Sequence, residues 1–274
     1  MGPVFARALV PRRTTTARIP EQVAVLEDQH QPLPRLAQYN RVCGFTLRDS
    51  VPPTWIHVLT FPLHVHLLGA PESSIRLVGA VHVSNSMTLH RPVGVGERLQ
   101  LRVHVENLRA HKRGALIDLV GEARVDGETV WDGSSTYLAT GMAAPGEPEQ
   151  AERPAFEPVT PQAKWRLPTD LGRRYREVSH DPNPIHTSRV AARAFGFARP
   201  LIHGMWTHAR ALAALEGRVA GSYSTSVNFL RPIMLPGTVG FSAIPTTDGY
   251  QAAVTSRDGA KAHLLMGVTR APQL

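Results

Sequence analysis

The sequence predicts an α+β chain in which one unit, an antiparallel sheet wrapped around a central helix, occurs twice. Three observations carry this. Ser86 to Val93 and Ser226 to Ile233 align at a constant offset of 140 residues, each an alternating run that ends in Arg-Pro and a Gly-containing turn. Runs with period-two alternation fill much of both halves and are separated by Gly-, Asp- and Asn-bearing turns. Each half also holds an apolar segment with helical spacing, which a curled sheet would bury.

Taken in order, residues 1–20 form a basic lead-in: Arg7, Arg12, Arg13 and Arg18 precede the first acid, Glu21. Such a start superficially suggests a transit peptide, and its apolar stretch is too short for a secretion signal. Residues 21–141 are the first half. The pattern from Val23 to Ala37 is mixed, and Tyr39 to Phe45 then matches Tyr175 to Asp181 at an offset of 136, with Phe45 where the second copy has Asp181. The first copy therefore lacks the acid. Pro52-Pro53 leads into Thr54 to Leu59, and Phe61 to Leu68 is expected as the central helix, with Pro62 in its first turn. Strands follow at 98–106, 115–125 and 130–139, the first two joined by a polar connection over 107–114. Residues 142–163 are rich in Pro, Glu and Ala and read as a linker.

The second half, 164–274, opens near Trp165, with Asp170 as a helix cap ahead of Tyr175. A helix from Gly204 to about Leu215 is the second central helix. Strands are expected at 223–230, 238–243, 251–256 and 261–270, with Asp248-Gly249 and Asp258-Gly259 as hairpin turns.

The chemistry concentrates in Ser179 to Met205. Pro182 and Pro184 hold their own φ and push Asp181 and Asn183 out of the α region, so the loop is stiff. Asp181 and His186, five residues apart, have the makings of a general acid/base couple, since a carboxylate beside an imidazole orients it and sets its tautomer. The Asn183 amide would hold the carboxylate or a water. Thr187 or Ser188 would cap a short helix that ends at Gly196. Gly204 opens the next helix, where a free N–H and the helix dipole suit a negative oxygen. Plainer readings stand beside these: Asp181 as an Asx-turn residue, His203 as a packed histidine, Gly204 as a close-packing glycine. Asp181, His186, His180 and His203 as metal ligands fit no zinc spacing, and neither metal nor cofactor is expected.

Composition narrows the partners. The 274 residues are 42% apolar, enough for a sizeable core, and no apolar run approaches a membrane span. The single cysteine, Cys43, excludes an internal disulfide and fits a cytoplasmic, reducing setting, where it reads as a small buried hydrophobe. The net charge is +8, yet its Lys and Arg are scattered and no nucleic-acid motif is present. An acidic small ligand or an acidic protein surface would be steered by such a field.

The central stretch resembles the hydratase-2 motif of MaoC-like dehydratases, Y-x-x-x-S-G-D-x-N-P-I-H followed by a helix and H-G-M. The matching residues are Tyr175, Ser179, Asp181, Asn183, Pro184, Ile185 and His186, then His203-Gly204-Met205, with His180 replacing the usual glycine. That replacement is expected to alter the loop path or to put His180 at the site entrance. The resemblance implies a double hot-dog fold, a degenerate first half forming an internal pseudo-dimer with the second and housing an acyl chain, and a further homodimer as an option. It implies reversible hydration of trans-2-enoyl thioesters, of coenzyme A or carrier protein, to R-3-hydroxyacyl thioesters. Asp181 and His186 would handle the water, Gly204 would polarise the thioester, and Asn183 and His203 would bind substrate. Two alternatives remain: a hot-dog thioesterase, whose central-helix carboxylate could only be Glu216, and a non-catalytic acyl-thioester binder.

Overall fold

A computed structural model describes residues 15–148, 154–219 and 221–271. The lead-in through residue 14 and residues 149–153 of the expected linker lie outside the described residues. The first half contains β1 (Ala24–Gln29), α1 (Leu33–Cys43), α2 (Pro53–Gly69), β2 (Ala80–Leu89), β3 (Leu99–His111), β4 (Gly114–Val125) and β5 (Glu128–Thr140). The second contains β6 (Ala163–Leu167), α3 (Leu171–Ser179), a 3-10 turn (Pro184–His186), α4 (Arg189–Ala194), α5 (Gly204–Ala214), β7 (Tyr223–Phe229), β8 (Gly237–Thr246), β9 (Gly249–Ser256) and β10 (Ala262–Arg270).

The strands form one antiparallel sheet ordered β1-β3-β4-β5-β2-β7-β10-β9-β8-β6. From the centre outward the halves run β2-β5-β4-β3-β1 and β7-β10-β9-β8-β6, so every strand has a counterpart at the same place. The seam is the β2–β7 pair, and its register sets Ser86 opposite Ser226. These two residues are also each other's repeat equivalents at the 140-residue offset, so a pseudo-twofold axis passes between them. This is a double hot-dog fold of the α+β class, with α2 and α5 as the wrapped helices.

α2 is apolar around nearly its whole circumference, as a helix enclosed by a sheet must be, and Trp55, Ile56, Leu67 and Leu68 are fully buried. One core cluster runs from Trp55 on α2 through Val227 at the seam to Trp206 on α5. Polar contacts tie the halves as well. The Trp206 indole N–H donates to the Val42 carbonyl at 2.9 Å, and Arg35 Nε donates to the Val178 carbonyl at 2.9 Å. The repeat-equivalent rings of Tyr39 and Tyr175 lie 6.2 Å apart.

Several sequence expectations need correction. Pro62 lies inside α2, because the helix begins at Pro53, which takes the first-turn position after the extended Pro52. The segment of mixed pattern holds β1 and leads into α1. Residues 107–111 continue β3 through a register shift after Glu106, because the part-buried Asp118 carboxylate gathers Asn107, Arg109 and Thr136 around it. Asp170 occupies the cap position of α3 in a helical conformation and makes no side-chain capping bond. No helix among the described residues is long and apolar enough to cross a membrane.

Trp206→Phe would keep most of the buried ring while leaving the Val42 carbonyl unpaired. Urea unfolding should show a loss of about 1–3 kcal/mol; an unchanged midpoint would mean that this contact does not couple the halves.

Candidate active site

The site grows out of the end of α3. His180 takes the left-handed conformation (φ 58°) and its N–H bonds the Arg176 carbonyl at 2.9 Å. Its repeat equivalent, Gly44 (φ 86°), closes α1 the same way on Asn40. The loop path expected to change at His180 is therefore kept, at the cost of a side chain in a region glycine prefers, about 1–3 kcal/mol. His180 is exposed and is not among the residues that line the cavity.

Beyond it the backbone is held by successive short turns. Ser179 Oγ accepts from Asp181 N–H (3.3 Å), Asp181 Oδ1 from Asn183 N–H (2.9 Å), and Asn183 Oδ1 from Ile185 N–H (3.3 Å). Asp181 is thus an Asx-turn residue whose second oxygen is left free for the cavity. Ser188 Oγ caps α4, accepting from Ala191 N–H at 3.2 Å. Gly172 lets α3 approach this loop, since a Cβ there would sit 2.1 Å from the His186 carbonyl oxygen.

His186 Nδ1 donates to the Leu201 carbonyl at 3.0 Å, which leaves Nε2 as an acceptor. Its ring stacks on His203 with centroids 3.6 Å apart. His203 stands at the N-terminus of α5, is 3% exposed, and neither of its nitrogens has a hydrogen-bond partner among the described residues. Its Nε2 lies 3.8 Å from Asp181 Oδ2, too far for a hydrogen bond. The expected Asp181–His186 couple is therefore a cluster of three with His203 stacked into it, because the Leu201 carbonyl and the His203 ring fix His186. The amide expected to hold the carboxylate is also corrected: the Asn183 backbone N–H does so, and its side chain caps the next turn. The ligand-capable atoms of Asp181, His186 and His203 lie within 4.8 Å of one another, the set a metal ion would use; His180 is not part of it.

Gly204 N–H is in the first turn of α5, where no helical carbonyl reaches it. A Cβ on Gly204 would lie 3.0 Å from the Phe229 ring, so glycine serves close packing as well as access. Asp181, His186, His203 and Gly204 open on a cavity of about 610 Å³. Its opposite wall comes from the first half and includes His57, His82 and Tyr137. Sequence reasoning missed these three, because they lie on α2, β2 and β5, far from the motif, and only the seam brings them to it.

Burial sets the protonation. It raises the Asp181 pKa above the usual carboxylate value, against the pull of His186, the Asn183 N–H and Arg176. It lowers that of His186, against the influence of Asp181 and the Leu201 carbonyl. Burial, then His186 and Arg176, hold His203 well below the normal imidazole range. A carboxyl lifted toward neutrality beside two neutral imidazoles can exchange protons with a bound oxygen.

The corresponding place in the first half is filled. Phe45 stacks on Tyr39 at 6.4 Å, and Arg210 lies against Gly44 with its guanidinium 4.4 Å over the Trp165 ring. Glu216, the carboxylate a thioesterase would need, lies past the end of α5 and outside the cavity lining. It accepts from Thr46 N–H (2.8 Å) and pairs with Arg48 (3.0 Å). Arg231 reaches the lining and donates to the Ala262 carbonyl at 3.1 Å. Cys43 is buried, and burial raises its thiol pKa.

The family described as MaoC like domain matches residues 147–257. Over 261 residues the chain is 34% identical to 3-hydroxyacyl-thioester dehydratase X of Mycobacterium tuberculosis, covering 94% of this chain and 91% of that protein. The chain belongs to the MaoC-like dehydratase family. The crystal structure of HtdX from the same organism superposes on this MaoC-like protein with a TM-score of 0.82 at 31% identity, covering 91% of this chain and 100% of that one. A second Mycobacterium tuberculosis structure, described as a double hotdog fold, matches at 14% identity and a TM-score of 0.58, a likeness of fold alone.

His57 adds a pH dependence to this MaoC-like site. It is 3% exposed, and burial lowers its pKa from 6.5 to about 4. The unfolded chain takes up this proton near pH 6.5 while the folded chain resists until about pH 4, so stability present above 6.5 is lost as pH falls. Comparing urea unfolding at pH 7 and about 4.5, His57→Leu should lose less stability than the parent by roughly 2–3 kcal/mol. Equal losses would show that His57 is not held neutral.

Proposed function

We propose that the protein catalyses reversible hydration of trans-2-enoyl thioesters to R-3-hydroxyacyl thioesters in fatty-acid metabolism. The observation that carries this reading is the Asp181–His203–His186 cluster, His203 buried and the other two part-buried, set beside the N-terminus of α5 on one cavity. The kinship with a protein named 3-hydroxyacyl-thioester dehydratase supports it.

Hydration needs a proton taken from water, a proton given to C2, and a donor for the thioester oxygen while C2 carries enolate character. Asp181 and His186 act on the protons as a coupled pair. The Asp181 carboxylate accepts from the water that bonds to C3, and its Oδ1, tied to the Asn183 N–H, fixes the carboxylate plane. His203 lies against both and holds the oxygen between them. Gly204 N–H, backed by the dipole of α5, receives the thioester oxygen. Asn183 lines the site and keeps the loop in shape.

The acyl chain runs from this cluster toward the first-half wall. The first half (21–141), the linker (142–163) and the second half (164–274) thus work as one catalytic unit. The +8 charge favours carriers rich in anionic groups, the phosphates of coenzyme A or an acidic carrier protein. A cytoplasmic setting fits the single buried cysteine.

Purified protein should discharge the enoyl-thioester absorbance of crotonyl-CoA or of a longer trans-2-enoyl thioester without releasing free thiol. Asp181→Asn should slow this by about 10²–10⁴-fold. Near-parental rates in that variant would remove Asp181 from the mechanism, and thiol release would point to a thioesterase.

A further inference from the structure

The first half brings several polar side chains to the cavity, among them the hydroxyl of Tyr137. Tyr137, on β5, is 5% exposed and lines the cavity together with Asp181, His186 and Gly204. Its hydroxyl makes no hydrogen bond to any described residue. Its donor is therefore open to whatever occupies the cavity.

The ring is aimed by the sheet. Tyr137 stands opposite His82 on β2, and the β2–β5 register shifts between His82 and Ser84, an irregularity of the kind that redirects side chains beside functional sites. As a result the His82 ring stacks on Tyr137 at 4.4 Å with 12° between planes. The other side of His82 meets Phe229 at 4.8 Å, the ring that packs against Gly204. Tyr137 is thereby braced through two rings to the start of α5. Burial, and then the charge of Asp181, raise its pKa, so the hydroxyl keeps its proton and acts only as a neutral donor.

We propose that Tyr137 is a further catalytic residue, contributed by the first half, whose hydroxyl donates a hydrogen bond to the oxygen at C3 of the substrate. This rests on the hydratase reading above. Gly204 N–H takes the thioester oxygen and Asp181 accepts from the C3 oxygen, and that oxygen has a lone pair left for a donor on the opposite wall. In dehydration the C2 proton goes to the Asp181–His186 pair, the C3–O bond breaks with its electron pair staying on oxygen, and the pair delivers a proton to that oxygen, which leaves as water. The Tyr137 hydrogen bond strengthens as that charge grows, so it acts on the transition state more than on bound substrate. Tyr137 keeps its own proton throughout.

Tyr137→Phe retains the ring and its stack. Steady-state hydration of a trans-2-enoyl thioester should show kcat reduced about ten- to a hundredfold, with KM and the thermal midpoint unchanged. An unchanged kcat, a rise confined to KM, or a lowered thermal midpoint that accounts for the loss would each overturn the proposal. Parent protein and Asp181→Asn in the same assay separate the two readings. If the parent turns over, Asp181→Asn does not, and Tyr137→Phe matches the parent, only the Tyr137 assignment falls; an inactive parent takes both down.

Discussion

The pairing of β2 with β7 is the interaction on which the rest of the structure depends. It fuses two five-stranded sheets into one, and its register places repeat-equivalent residues opposite each other at Ser86 and Ser226. Through it the first-half wall of the cavity meets the second-half motif. A sheet of one half alone would leave its central strand with an unpaired edge and its helix half covered. The two copies are therefore parts of one molecule, and both contribute to the lining of one cavity.

The pseudo-symmetry also lets the two copies of the motif differ without disturbing the fold. Both motif helices end in the same left-handed cap, Gly44 in one and His180 in the other. Beyond the cap, Phe45 replaces the acid and packs on Tyr39, and Arg210 fills the neighbouring space beside Trp165. In the second copy the same space holds Asp181, whose pKa burial has raised, and imidazoles kept neutral by burial. Holding polar groups this way opposes stability, as is common where function requires them.

Most of this architecture was legible in the sequence, for particular reasons. The repeat around Ser86 and Ser226 was legible because alternation runs along both seam strands and each strand is followed by Arg-Pro. In the second half Asp248-Gly249 and Asp258-Gly259 marked the turns that join β8, β9 and β10, whereas β6 was hidden because most of its five residues are exposed and Ala163 fell in the expected linker. β1 was hidden because this edge strand keeps most of its residues at the surface and shows no alternation. The continuation of β3 was hidden because its polar side chains serve Asp118 rather than solvent. In the site, Asp181, His186 and Gly204 were recognisable from local spacing, and His203, which by itself reads as a packed histidine, from the resemblance of His203-Gly204-Met205 to the family motif. The stacking of His203 on His186 and the arrival of His82 and Tyr137 were not, because they depend on contacts between segments distant in the chain.

The central claim is that this cavity adds water across a trans-2 double bond while leaving the thioester whole. Hydrating a trans-2-enoyl thioester in deuterium oxide and examining the product by NMR reads both new bonds at once. The expected product is an intact R-3-hydroxyacyl thioester with one deuterium at C2 in a single configuration. Free acid and thiol, or an unlabelled enoyl thioester recovered in full, would contradict the account.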